Sequence, residues 1–217
     1  MGARVEKTEG FEWGRWFRAL VAAALVMILG GLSTAVFSAG IQSLYPTRPR
    51  PPDLLFDLLP YAPWTQFAVE AVYFGSLLLL CVYLVSRHHV RRVPEIAALY
   101  GVIDISRAVL TILTPLAAPF EEATHFNYSG GVIRLWGEFP SGQVATMLLF
   151  YLVVDGAEAP GFKRTLLVLL VAEILLLLTS HSHYSISIVG GLHLGYFVHR
   201  EYYRGRLFDW LKPFVQV

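Results

Sequence analysis

Pro140-Ser141-Gly142-Gln143 opens an apolar run that ends near Val154, and His181-Ser182-His183-Tyr184-Ser185-Ile186-Ser187 separates two further apolar runs. Both polar clusters stand at the ends of long apolar segments, so they meet if those segments emerge on one face of a membrane. A mean hydropathy of +0.54, with 55% hydrophobic and 15% charged residues, lies outside the range of soluble domains. The chain therefore reads as an all-α, polytopic membrane protein. Its 217 residues suffice for six spans with short connections, one domain over 1–217, and leave no room for a second, soluble one.

Working outward from the two clusters gives the spans. Pro140 to Val154 is span four, Thr165 to about Thr179 span five, and the run after the histidines, to about Val198, span six. Span four is short, since 15 residues cover only ~22 Å of a core ~30 Å thick, which places its outer end within a cavity below the membrane surface. Upstream, Phe17 to about Ala39 is span one, Trp64 to Ser86 span two and Pro94 to about Leu113 span three. The first run is longer than the roughly 7 to 15 apolar residues of a secretory signal, so an uncleaved span is expected. Leu54 to Pro63 reads as a short interfacial segment and Thr114 to Phe139 as a structured loop.

Charge sets the orientation. Arg4, Lys7, Arg15 and Arg18, the connector Arg87-His88-His89-Val90-Arg91-Arg92, Lys163 and Arg164, and Arg200, Arg204, Arg206 and Lys212 fall on one side, whereas Arg48, Arg50 and Arg134 fall on the other. The positive-inside rule makes both termini cytoplasmic and turns the two clusters to the extracytoplasmic or lumenal face. With a net charge of +1 there is no concentrated basic surface of the kind that binds nucleic acid. Cys81 is the single cysteine, so an intrachain disulfide is impossible.

Ionisable groups inside spans are costly, ~2.5 kcal/mol or more near a helix centre, and call for a partner or a cavity. Glu70, Asp104, Arg107 and Glu173 are such groups. Asp104 and Arg107, three apart, can form a self-neutralising pair on one helix face. Alternatively Arg107, in the outer half of span three at the level of Gln143 and His183, can hold a phosphate through its planar fork. Ser141-Gly142 offers free backbone N–H groups to an anion, although Pro and Ser are also ordinary helix starters. His181 and His183 read either as solvated interfacial groups or, with a third ligand that no spacing supplies, as metal ligands. No metal or other cofactor is expected.

Four stretches in order, over roughly residues 50–190, carry a resemblance. They are Arg50-Pro51-Pro52-Asp53-Leu54-Leu55-Phe56-Asp57; Tyr100 to Pro115 with Arg107 and Thr111; His125-Phe126-Asn127 with Ser129; and Ser141-Gly142-Gln143 with His183-Tyr184-Ser185-Ile186-Ser187. The set resembles the sphingomyelin synthase branch of the lipid phosphate phosphatase superfamily, six-span helical bundles that move a phosphate-bearing headgroup through a phospho-histidine. The resemblance implies that His183 is the nucleophile, that Arg107, Ser141, Gly142 and Gln143 hold the phosphate, and that Arg50, Asp53, His125 and Asn127 line the entrance. Membrane phospholipid is the implied partner, with a lipid alcohol or water as acceptor. The setting is a bacterial cytoplasmic membrane or a eukaryotic endomembrane.

The chain departs from that family at the chemistry. Its motifs normally read Ser-Gly-His and His-Tyr-Thr-Ile-Asp, and here Gln143 replaces the histidine of the first and Ser187 the aspartate of the second. Gln143 cannot exchange a proton near neutral pH, which removes general-acid help worth ~10² to 10⁴ in rate. Ser187 can orient the imidazole but cannot stabilise its cation as a carboxylate would. His181, two residues before the nucleophile, is a possible stand-in acid, and His193 a deeper one. The expectation is a headgroup phosphotransferase or phosphatase with atypical acid–base groups, or a catalytically silent phospholipid-binding relative or partner subunit.

Overall fold

The 12-residue helix that follows Ser141 is apolar on every side, and such a helix is stable only when other helices surround it. The computed structural model, which describes residues 12–62, 64–119 and 139–217, puts it in the middle of a helical bundle. In chain order the elements are α1 (Trp13–Leu44), α2 (Leu54–Leu58), α3 (Thr65–Ser86), a single 3-10 turn (Val90–Arg92), α4 (Val93–Leu113), α5 (Gly142–Val153), α6 (Pro160–Thr179), α7 (Ser185–Tyr203) and α8 (Lys212–Val215). Among the described residues there is no strand. Three helices, α1, α3 and α4 with its leading turn, are long and apolar enough to cross a membrane by length and composition, and α5 is a shorter apolar helix.

α5 contributes to both apolar cores. Ala145, Leu149, Phe150 and Val153 join Leu99, Ile103, Tyr83, Val198 and Tyr202 in the larger one. Val144 and Met147 join Val69, Leu170, Leu177 and Ile188 in the smaller. A helix of 12 residues is only ~18 Å long, so its C-terminal carbonyls end inside the protein and need donors there. Arg92 Nη1 donates to Val153 O at 2.9 Å and Lys163 Nζ to Val154 O at 2.8 Å, cations at a helix C-terminus where the dipole favours them.

Two helix crossings are closer than side chains allow. On α1 and α4, a Cβ at Gly101 would stand 2.7 Å from the Val26 carbonyl carbon, and one at Gly30 would stand 2.9 Å from Gly101 O. On α5 and α7, a Cβ at Gly191 would stand 2.5 Å from Ser141 O, and one at Gly195 would stand 2.4 Å from Ala145 O. Gly191 and Gly195 are four apart on one face of α7, the small-xxx-small arrangement by which helices approach closely in membranes.

Element boundaries differ from the sequence reading at the ends. α1 overruns the Phe17–Ala39 span on both sides and α7 extends past Val198 to Tyr203. α6 begins at Pro160 rather than Thr165, because proline at the first helical turn lacks only an N–H that has no intrahelical acceptor there. Lys163 and Arg164 thus lie on the helix, not in a turn before it.

Candidate functional site

The α5–α7 crossing holds the two polar clusters together. Ser141 N donates to Ser187 O at 3.0 Å, which ties the start of α5 to the first turn of α7. Ser141 caps α5, with its Oγ 3.5 Å from Val144 N, and is fully buried. Ser187 Oγ lies 3.3 Å from His183 Nδ1, also in buried surroundings. Gly190 packs on the preceding turn, where a Cβ would meet the Phe139 ring at 2.7 Å.

Arg107 reaches this junction from α4. Its Nε donates to Pro140 O at 3.1 Å, and its side chain lies against Gly142, where a Cβ would stand 3.0 Å from Arg107 Cδ and 3.2 Å from Nε. Glycine at 142 is what admits the guanidinium to the N-terminus of α5. One turn on, Thr111 Oγ1 donates to Phe139 O at 2.8 Å. Asp104 packs against Gly30 of α1 and lies close enough to Arg107 to interact with it electrostatically.

The segment before α3 forms a second wall. Asp53 Oδ1 accepts from Leu55 N at 3.0 Å and caps α2, while Oδ2 accepts from Ser185 N at 2.5 Å at the start of α7. One carboxylate therefore serves two helix N-termini, where its charge is favoured. Arg50 Nε donates to Ala118 O at 3.2 Å, Ala117 N to Pro49 O at 3.2 Å, and Tyr184 Oη to Ala117 O at 3.1 Å. These bonds hold residues 49–53, 117–118 and the histidine turn as a single unit.

Three of the four histidines of the sequence reading are described, and they go to different places. His183 is 5% exposed and belongs to the junction. His181, in the left-handed region at φ 51°, turns its ring onto Phe56, with centroids 4.3 Å apart and 18° between planes, and onto Tyr61 at 5.2 Å. Burial holds its pKa below the ordinary 6.5, with the Leu59 backbone and the Asp53 carboxylate opposing part of that effect. His193 is exposed on the outer face of α7, its Nδ1 2.9 Å from Val189 O, away from the buried face that carries Ser187 and Gly191. Gln143 is half-buried in the first turn of α5. His125 and Asn127 lie outside the described residues.

Of the other carboxyls within apolar helices, Glu173 of α6 is fully buried with neither oxygen hydrogen-bonded, close enough to Glu70 of α3 to interact electrostatically. Both lie in the helices around the smaller apolar core. Sequence reasoning missed the glycines of α7 and the double role of Asp53. The four-residue spacing of Gly191 and Gly195 was a usable signal for the first; nothing local signals that Asp53 would reach Ser185.

No family model matches the chain. It is similar to phosphatidylcholine:ceramide cholinephosphotransferase 1 of Caenorhabditis elegans, 27% identical over 107 residues, which is 47% of this chain and 22% of that protein. The chain thus matches about a fifth of the length of this curated relative. The apolar helices and this similarity identify a multi-pass membrane protein.

Proposed function

We propose that the chain is a single six-span domain with both termini cytoplasmic, and that it binds and transfers the phosphate-bearing headgroup of a phospholipid on the opposite face. The observation that carries this reading is the junction itself: a nucleophile-capable imidazole oriented through Nδ1 by Ser187, joined by Ser141 to a helix N-terminus against which an arginine lies. Arg107 and the first N–H groups of α5 hold the phosphate oxygens. With Nδ1–H donated to Ser187 Oγ, Nε2 of His183 carries the lone pair that attacks phosphorus. The N–P bond forms as the bond from phosphorus to the diacylglycerol oxygen breaks. The departing alkoxide takes its proton from solvent, because Gln143 has none to give. In the second half, the oxygen of a lipid alcohol or of water bonds to phosphorus and its proton passes to solvent, while the N–P bond breaks with its electron pair returning to Nε2, which regenerates neutral His183.

The similarity to a cholinephosphotransferase supports phosphatidylcholine as the first donor to test. Purified protein with headgroup-labelled phosphatidylcholine, phosphatidylethanolamine or phosphatidic acid is expected to release or transfer label, and His183→Ala to bring this to background. A second reading is favoured by Ser187 and Gln143, which withhold charge stabilisation and proton transfer: a silent relative that holds the headgroup without cleaving it. That reading predicts no turnover in the natural protein and phospholipid binding weakened about 10- to 100-fold by Arg107→Ala. If neither binding nor turnover responds to either substitution, the headgroup site is wrong.

A further inference from the structure

Two arginines line open space at the other end of the bundle. An open cleft with about 340 Å³ of water-accessible space is lined by Arg15, Arg18, Ala19 and Ala22 of α1 and by Pro213, Phe214 and Gln216 at α8. Its volume is at the lower end of the range for small-molecule sites. It is remote from the junction just described: Thr34, Phe37 and Ser38 of α1 are at the level of Arg107 and Thr111, and Arg18 is about 16 to 20 residues, ~24–30 Å of helix, before them.

Several basic side chains of this end have partners within the protein. Arg92 binds Val153 O and Tyr203 Oη, Lys163 binds Val154 O, His89 pairs with Glu158 at 2.8 Å and Lys212 with Asp209 at 2.7 Å. These groups are used within the protein. Arg15 and Arg18, among the described residues, have no ion pair or side-chain hydrogen bond, and they line open space together with the Gln216 amide.

The walls identify the kind of anion. Ala22 continues the face of Arg15 and Arg18 into the apolar body of α1, and the same stripe runs on to Leu25 and Leu29, exposed by 62% and 54%. Phe214 and Trp210 on the facing segment are each 61% exposed, and Trp13 stands 69% exposed at the same end of α1. Indole rings at this position mark the headgroup layer. A soluble anion has no use for an apolar stripe leading out of its site, whereas a lipid places its phosphate between the arginines and an acyl chain along the stripe.

We infer that this cleft holds the phosphate of an anionic phospholipid in the leaflet opposite the candidate headgroup site. The occupant is a bound regulator or anchor of α1 and α8, not a substrate, since among the described residues no nucleophile lines the cleft. The guanidinium forks of Arg15 and Arg18 take the phosphate oxygens, Gln216 donates a further hydrogen bond, and Phe214 covers the glycerol region.

The test uses the whole chain in detergent, with phosphatidylglycerol and phosphatidylcholine of matched acyl chains as probes, inorganic phosphate as the soluble alternative, and native mass spectrometry to count retained lipid. Phosphatidylglycerol should be retained over phosphatidylcholine, with about 5-fold lost for either R15Q or R18Q and about 30-fold for both, while R15K/R18K keeps most of it. Arg107→Ala can lower the retention of both lipids at the headgroup site but should leave the excess of phosphatidylglycerol over phosphatidylcholine in place. Equal retention of the two lipids, or no response to R15Q/R18Q, overturns the inference. Inorganic phosphate displacing phosphatidylglycerol at equal concentration overturns the lipid as occupant. If R15Q/R18Q does not accumulate, salt titration of the natural protein decides: retention that falls between 50 mM and 500 mM salt supports the site, and retention that stays level overturns it.

Discussion

The α1–α4 and α5–α7 crossings use one device for two ends. Each brings two backbones within reach by placing glycine where a Cβ would overlap the facing main chain: Gly30 and Gly101 in the first, Gly191 and Gly195 in the second. At α1–α4 the approach brings apolar helices together, with Ala23, Leu99 and Ile103 around it. At α5–α7 it sets a buried serine against a buried serine and joins a helix N-terminus to an oriented histidine. Close approach is thus neutral as to function. What it positions decides whether a crossing is scaffold or site.

The largest expected effect sharpens the functional side of this comparison. Gln143→His with Ser187→Asp supplies a proton donor and a carboxylate to the α5–α7 junction without touching its glycines. If that junction is a competent frame for headgroup transfer, turnover of labelled phosphatidylcholine should rise by about 10² to 10⁴ over the natural protein. A fully folded double variant with no gain would reduce the α5–α7 crossing to the same scaffold role as α1–α4.

Next in size are the crossings themselves. Gly101→Ala and Gly195→Ala should each cost about 1–3 kcal/mol, read as a lower Tm in detergent, since each new Cβ overlaps main-chain atoms. The comparison predicts different companions to that loss. For Gly101→Ala, phospholipid binding per folded molecule should be unchanged; for Gly195→Ala it should fall with the displacement of Ser141. Equal binding defects in both variants would break the distinction.

Asp53 tests how far the junction depends on the wall beside it. Asp53→Asn leaves one acceptor oxygen for two donors, Leu55 N–H and Ser185 N–H, and should cost about 1–2 kcal/mol. Headgroup binding should weaken with it, since Ser185 begins the turn that carries Ser187. Unchanged binding in a destabilised Asp53→Asn would confine this carboxylate to scaffold.

The smallest effect is one of pH. Burial holds the His181 pKa in the folded chain below its ordinary 6.5, so the unfolded chain binds its proton first. Stability from this group is present above about 6.5 and is lost as pH falls from there through the folded value. Tm should therefore decline over that window, and His181→Asn, which suits the left-handed backbone, should flatten the decline. A decline of equal slope in His181→Asn would assign it to other groups.

Much of this is legible in the sequence. Apolar runs located the helices to within a few residues, because burial or lipid contact demands the same apolar side chains wherever the helix ends up. The motifs around Ser141 and His183 marked a polar site at helix ends, since Ser and Gly there have few roles besides capping and close approach. The onset of α6 was misread because Lys163 and Arg164 look like a turn, and only the carbonyl of Val154 shows that one of them completes a neighbouring helix. In the sequence His181 reads as a companion acid beside His183, yet two residues of a turn are enough to send its ring to Phe56.

By itself, then, the sequence determined the helical class, the membrane setting and the residue types available for chemistry, because these follow from composition, periodicity and side-chain pKa. The tertiary structure decided which of those residues meet. Gly142 admits Arg107, Gly191 admits Ser141, and Asp53 reaches Ser185 across 132 positions of chain, and none of these contacts follows from sequence spacing. Helix positions along a chain are set locally. The gaps between helices are set by the one side chain, or its absence, that each neighbour must accommodate.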